Sequence, residues 1–310
     1  MRLPALDAHA WRDRADALRA DPARLVLWAA IAAYSVALSW LAVLRYRFFW
    51  SGRFDLGNMV QAVWSTTQGR PLESTDTHGE QFVRLGAHVD PILVLLAPLW
   101  LLVPRPEMLL VVQVLAVASG AIPVFLLGRR WLASDALAVA GAVVYLLYPP
   151  QLWSVLTEFH AVVFATPLLA WAIWAVEEGR PGVLFTTAGL ALICKEHVGL
   201  AIALLGLYAA VAHGRRAWGV VLAVTGVAWT AVCMTVIIPH FAPSGGNPFS
   251  NRYDHLGGSL TSLPRTLVTD PLRVLETVTT EPKLLYLLAI FLPLMFLPAA
   301  APLLALPALP

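Results

Sequence analysis

The sequence predicts an all-α fold, a polytopic transmembrane helical bundle, and three observations carry that expectation. Of 310 residues, 59% are hydrophobic and only 13% are charged, whereas about a quarter of a soluble domain is charged. Mean hydropathy is +0.71. Several uncharged apolar runs reach the roughly 20 residues that cross a bilayer. The net charge of +2 is spread along the chain with no basic block, so nucleic acid is not an implied partner. Cys194 and Cys233 both sit in apolar runs and suggest neither a disulfide framework nor a metal cluster.

Residues 1–24 mix Arg12, Arg14, Arg19 and Arg24 with Asp7, Asp13, Asp16 and Asp21. They read as a cytoplasmic amphipathic segment ahead of a membrane domain over 25–310. Leu25–Leu44 is the first expected span, followed by Arg45, Arg47 and an aromatic belt of Phe48, Phe49 and Trp50. A polar loop with turn signals at Gly69-Arg70-Pro71 and Gly79 comes next. Pro91–Pro104 is apolar but short for a span, which suits a juxtamembrane helix inside a first outer loop at 45–106.

Further spans are expected at Met108–Leu127, Ala136–Tyr148, Val162–Val176, Val183–Cys194, Val198–Ala212, Val220–Ile238 and from Leu284 onward. A second outer loop covers 239–282. If Pro91–Pro104 does not cross, Arg129, Arg130, Arg180, Arg215 and Arg216 all fall on the side of the N-terminus. The short turns opposite then carry only Lys195. This bias places the N-terminus in the cytoplasm and the protein in the cell membrane. The apolar, proline-rich stretch Leu303–Pro310 has no polar tail, as expected of a chain cut from a longer one.

Phe54–Trp64 stands out within the first outer loop. Asp55, Asn58, Gln61 and Ser65 recur at helical spacing, while Phe54, Met59, Val60, Val63 and Trp64 mostly face the other way. That pattern fits a helix lying at a membrane surface, and Asp55 is its leading catalytic candidate. The topology also gathers Glu73, Asp76, Glu80, His88, Asp90, Glu158, His160, Lys195, Glu196, His197, His240, Arg252, Asp254 and His255 on the outer side. An ionisable group placed centrally in a span costs about 2.5–3.5 kcal/mol on insertion scales, so such groups are usually paired or functional.

Three clusters matter most. In His88-Val89-Asp90-Pro91, Asp90 also has the chemistry of a helix cap ahead of a proline. In Glu158-Phe159-His160, a carboxylate at a helix start complements the dipole, which leaves the histidine unexplained. Lys195-Glu196-His197 puts three ionisable residues between two apolar segments with almost no loop to solvate them. Glu158, His160, Glu196 and His197 are a candidate divalent-cation set, since carboxylates with imidazoles suit Mn²⁺ or Zn²⁺ and carboxylates alone Mg²⁺. No His-Glu-x-x-His pair, Walker A loop, dinucleotide fingerprint or Gly-x-Ser-x-Gly elbow is present.

Ser51-Gly52-Arg53-Phe54-Asp55-Leu56-Gly57-Asn58, Leu85–Pro91, Glu158-Phe159-His160, Cys194-Lys195-Glu196 and Ile238-Pro239-His240-Phe241 carry a family resemblance. The chain resembles an uncharacterised family of prokaryotic multi-spanning membrane proteins grouped with the GT-C-type glycosyltransferases. The resemblance implies transfer of a sugar from a polyprenyl-phosphate donor to an extracytoplasmic acceptor. It also implies a GT-C-like bundle in which Asp55 holds the position of the acidic residue in the first outer loop.

On that expectation Asp55 is the general base and Arg53, Arg84, Lys195 and Arg252 are candidates to hold the phosphate. Asn58, Gln61, His88, Asp90 and His240 complete the substrate-binding set. Two other functions fit the composition. One is a transporter or flippase for a small polar or lipid-linked molecule, which commonly shows internal repeats; none is evident. The other is a non-catalytic assembly protein of the envelope.

Overall fold

Asp21 accepts a hydrogen bond from the Arg24 backbone N–H at 3.2 Å, and Pro22 follows it at the first helical position. Together they start helix α1 (Pro22–Arg47), because a carboxylate caps a free N–H and proline needs no donor there. The computed structural model describes residues 21–52, 54–76, 78–243, 245–249 and 263–305. Most of the segment over 1–24, and the candidates Arg53 and Arg252, lie outside the described residues.

Helix α2 (Phe54–Thr67) follows α1. A small antiparallel hairpin comes next, β1 (Glu73–Thr75) with β2 (Gln81–Val83), in which Glu73 faces Val83. Gln61 of α2 holds this hairpin through Thr75, accepting from its backbone N–H at 3.0 Å and donating to its hydroxyl at 2.6 Å. The apolar run after Asp90 is a six-residue 3₁₀ turn, Pro91–Leu96, and then α3 (Ala97–Leu102), also six residues. The Arg47–Glu107 ion pair, 3.1 Å, ties the two ends of this excursion together.

Helices α4 (Pro106–Ser119) and α5 (Ala121–Leu132) form one span of 27 residues. Helix α6 (Asp135–Leu147) bends by 41° into α7 (Pro149–Thr157). A 3₁₀ turn, Ala161–Phe164, leads into α8 (Ala165–Glu178). The shorter α9 (Pro181–Leu192) and α10 (Val198–His213) follow. Helix α11 (Arg216–Val232) runs through a π-helical turn, Cys233–Ile237, into α12 (Ile238–Phe241). Beyond lie α13 (Leu263–Thr269), α14 (Pro271–Val278), α15 (Glu281–Phe291) and α16 (Pro302–Ala305). Among the described residues, four helical runs are long and apolar enough to cross a membrane, or six if each bent pair counts as one. The chain is thus an all-α polytopic membrane bundle with one small hairpin.

One expected boundary and one expected helix face are corrected. The segment from Ala136 does not turn at Pro149-Pro150-Gln151, because proline is tolerated in the first turn of a helix and Pro149 and Pro150 begin α7. The turn falls instead at Glu158-Phe159-His160, between α7 and the next 3₁₀ turn. On α2 the buried residues are Leu56, Met59, Ala62, Val63 and Ser65, while Phe54 and Trp64 are exposed. Ser65 satisfies itself inside by donating to the Ala62 and Glu73 carbonyls.

Helices α10 and α11 touch backbone to backbone. A β-carbon on Gly199 would stand 2.3 Å from the Gly226 carbonyl oxygen, and one on Gly206 would stand 2.6 Å from that of Gly219. Small residues at such a crossing let dispersion contacts form where lipid supplies no hydrophobic drive.

The two ends of the bundle differ in chemistry. At one end Arg129 bonds Asp21 and Asp135, Arg130 bonds Glu178, and Arg215 lies over Gly179. There the buried Glu177 accepts hydrogen bonds from Tyr208, His213 and Trp131. The other end carries Asp55 and its neighbours.

Candidate functional site

Three chain breaks meet at the Asp55 end, and each brings polar groups out of an apolar element. Asp55 lies in the first turn of α2, where a carboxylate is favoured by the helix dipole. Glu158 and His160 leave the helical conformation in extended backbone between α7 and the next turn. Lys195 and Glu196 fill the gap between α9 and α10.

His160 Nε2 stands 3.1 Å from Asp55 Oδ2, and both side chains are open to solvent, 36% and 50% exposed. Glu158 reaches the same helix start from the other side: its Oε2 accepts the Leu56 backbone N–H at 2.9 Å. A β-carbon on Gly52 would lie 1.9 Å from Glu158 Oε1, so this glycine provides the space the carboxylate occupies. The start of α2 is thereby held by Glu158 while Asp55 remains available to a ligand.

The break itself is held from inside the membrane domain. Gln113, fully buried on α4, donates to the Glu158 carbonyl at 3.0 Å and accepts the His160 backbone N–H at 2.8 Å. It also reaches the Ser154 carbonyl at 3.4 Å. Arg45 at the end of α1 adds hydrogen bonds to the Leu156 and Trp50 carbonyls, each 3.0 Å. Neither residue was singled out for the site. The available signal for Gln113 was a lone amide in the apolar run Met108–Leu127, which has to find partners when buried.

A second carboxylate–imidazole pair lies at the same end of the bundle. His88 Nδ1 is 3.1 Å from Glu196 Oε1, and Glu196 Oε2 accepts the Val89 N–H at 3.0 Å. Thr230 of α11 bonds the Glu196 carbonyl at 2.9 Å. Burial works against the charge of Glu196, but the His88 bond and the Lys195 ammonium hold its carboxyl down at about 2. Phe249 stacks on the His88 ring, centroids 5.1 Å apart.

Arg84 and Asp90 form a buried pair in which Nε lies 3.0 and 2.9 Å from the two carboxylate oxygens and Nη2 lies 2.8 Å from Oδ2. The arginine fork thus matches the carboxylate face to face. The expectation that Asp90 caps the following helix is corrected: it stands at the N-cap without a capping bond, because Arg84 takes its oxygens. Arg84 is buried in this pair, and its guanidinium serves Asp90.

Lys195 is half-buried and has no ion-pair partner among the described residues. Burial lowers its pKa below the usual lysine value, while the carboxylates of Glu196, Asp90 and Asp55 act in the opposite sense. Its charge is thus felt by one carboxylate of each pair, Asp55 and Glu196, with the Arg84 guanidinium opposing it. An anion entering beside Asp55 would meet this charge.

Of the expected residues, Asp55, Glu158 and His160 come together, as do His88, Glu196 and Lys195, with Arg84 and Asp90 behind. Asn58 lies one turn after Asp55 on α2, and Gln61 is committed to Thr75. His240 is exposed on α12, against the ring of Phe241. The proposed metal set does not converge. Glu158 and His160 sit with Asp55, Glu196 is bound to His88, and the exposed His197 joins neither pair by a hydrogen bond. Among the described residues no three His, Cys, Asp or Glu are grouped to hold an ion.

An apolar cleft of about 370 Å³ adjoins this end, lined by Ile92, Leu95 and Leu96, by Ala116 and Ser119, by Phe164, Pro167, Leu168 and Trp171, and by Leu190. Ile92 follows Asp90 by two residues and bonds through its N–H to the Ile193 carbonyl at 3.0 Å. The cleft thus begins where the polar cluster ends.

No curated protein and no solved structure matches the chain. The model of a family described as predicted membrane protein, DUF2079, matches residues 45–310, a stretch that holds every candidate residue above. The chain belongs to that family.

Proposed function

We propose that this protein is a membrane glycosyltransferase that moves a sugar from a polyprenyl-phosphate donor to an acceptor outside the cytoplasm. The observation that carries the proposal is the half-exposed Asp55–His160 pair, at the same end of the bundle as Lys195, which has no ion-pair partner among the described residues, and as an apolar cleft that starts at Ile92. Such a site offers a base, a cation and a greasy slot at one end of a membrane bundle. Those are the needs of a lipid-linked phosphate donor. The likeness to GT-C enzymes supports the same reading by analogy, with the loop from Arg47 to Glu107 as the first outer loop and Pro91–Leu102 as its juxtamembrane helix.

In the proposed step an acceptor hydroxyl attacks the anomeric carbon of the donor. Its proton passes to Asp55 as the new C–O bond forms. The donor's bond from that carbon to the phosphate oxygen breaks, and the polyprenyl phosphate leaves with the electron pair. His160 orients the Asp55 carboxylate, and Lys195 offsets the charge growing on the phosphate. General-base help of this kind is worth about 10²–10⁴ in rate. Since the expected metal ligands do not meet, no step is routed through an ion. The arginine-rich end, with Arg129, Arg130, Arg180, Arg215 and Arg216, is then cytoplasmic by the positive-inside rule.

The test is transfer by purified protein in detergent with a labelled polyprenyl-phosphate sugar and a panel of acceptors. Transfer by wild type that Asp55→Asn removes is the expected result. Donor-independent movement of solute across vesicles, with no transfer in detergent, would favour a transporter instead.

A further inference from the structure

The sequence predicts a polar loop over 239–282, yet its described part contains two helices, α13 and α14. On α14, at 100° per residue, Pro271, Leu272, Val274 and Leu275 occupy one arc, while Arg273, Glu276 and Thr277 occupy the other. Leu272 and Leu275 are 70% and 56% exposed. Val274 on the same arc is half-buried, but a two-turn helix with two leucines this exposed needs an occupant for that part of its arc.

The position of α14 along the bundle identifies it. The Tyr148 hydroxyl donates to the Ile290 carbonyl of α15 at 2.7 Å, which fixes the level of α15 against the bent pair α6–α7. Thr157, beside the candidate site, ends α7 nine residues after Tyr148, and Ile290 lies nine residues after Glu281. At about 1.5 Å per residue both intervals are about 14 Å. With α15 running away from the site, its start falls level with Glu158.

The opposite direction is excluded by the sequence between Phe249, at the site, and Leu263. That stretch carries Arg252, Asp254 and His255 and is too polar to cross a bilayer. Finally, α14 turns 66° away from α15, so with α15 running across the bilayer α14 lies closer to the membrane plane than to its normal.

We infer that α14 lies in the bilayer surface at the Asp55 end, with Leu272 and Leu275 dipped into the acyl boundary and Arg273 and Glu276 turned to water. The partner is the lipid surface itself. Because Arg273 and Glu276 carry opposite charge, apolar burial rather than attraction to anionic headgroups holds the helix down. This inference is independent of the glycosyltransferase proposal.

Leu275→Cys and Glu276→Cys, each labelled with an environment-sensitive fluorophore in nanodiscs, test it; the native Cys194 and Cys233 are buried. At position 275 the label is expected to be quenched by brominated lipid and shielded from iodide by at least about threefold relative to position 276. The contrast should be equal in zwitterionic and anionic discs. Equal iodide quenching at both positions would overturn the inference, and so would shielding at 275 without quenching by brominated lipid, which would mean a protein cover. A contrast seen only in anionic discs would overturn the apolar mechanism.

Discussion

His160 Nε2 and Asp55 Oδ2 are 3.1 Å apart across 105 positions of sequence. If His160 orients the base, His160→Gln should lower transfer on the order of 10²-fold, less than the loss on Asp55→Asn. The double variant should be no worse than Asp55→Asn alone, because both act through one carboxylate. Additive losses in the labelled-donor assay would separate the two roles.

Gly52→Ala separates the site from the scaffold. The new methyl would meet Glu158 Oε1, the free end of a flexible side chain, so the carboxylate swings away and releases the Leu56 N–H. The charge-assisted bond lost is worth about 1.5–3 kcal/mol, and water can replace it at this half-open position. Activity should fall well over tenfold while the melting temperature drops by only a few degrees. A large drop in melting temperature with activity per folded molecule unchanged would assign Gly52 to the scaffold.

Glu196 gives a pH dependence with a defined sign. Its carboxyl is held near 2 in the folded protein against 4.5 ordinarily. A depressed folded value means that its stabilisation is complete above 4.5 and is lost as pH falls towards 2. The full effect is on the order of 3 kcal/mol. His88, Lys195 and the Val89 N–H are the groups facing it. Unfolding midpoints in detergent from pH 6 down to 2 should fall for wild type and stay flatter for Glu196→Gln. Parallel curves for the two proteins would refute the assignment.

Gln113→Leu keeps the volume of the amide but leaves the Glu158 carbonyl and the His160 N–H without partners. An unmet buried polar group costs about 1–3 kcal/mol. The variant should unfold earlier than wild type, and its transfer rate per folded molecule should fall towards that of His160→Gln, because the imidazole no longer sits on Asp55. The labelled-donor assay beside a melting curve reads both; an unchanged rate per folded molecule would make Gln113 a structural residue alone.

The sequence by itself determined the class of molecule, most of its spans and the sorting of its polar residues between two ends. Those properties are local: apolar length decides what can cross, and charge decides where a chain must turn. The arginines at 129, 130 and 215 do share an end with Asp21 and Glu177, as counting along the chain requires. The turn at Glu158 was less legible, because Pro149 and Pro150 resemble a loop although they suit the first turn of α7 equally well. The tertiary structure alone decided the pairings: Asp55 with His160, Glu196 with His88, and Arg84 with Asp90 in place of a helix cap. It also split the expected metal set and gave Gln113 its place. Each of these depends on which faces of distant helices meet, and backbone contacts such as Gly199 against Gly226 set those meetings over distances that no local pattern encodes.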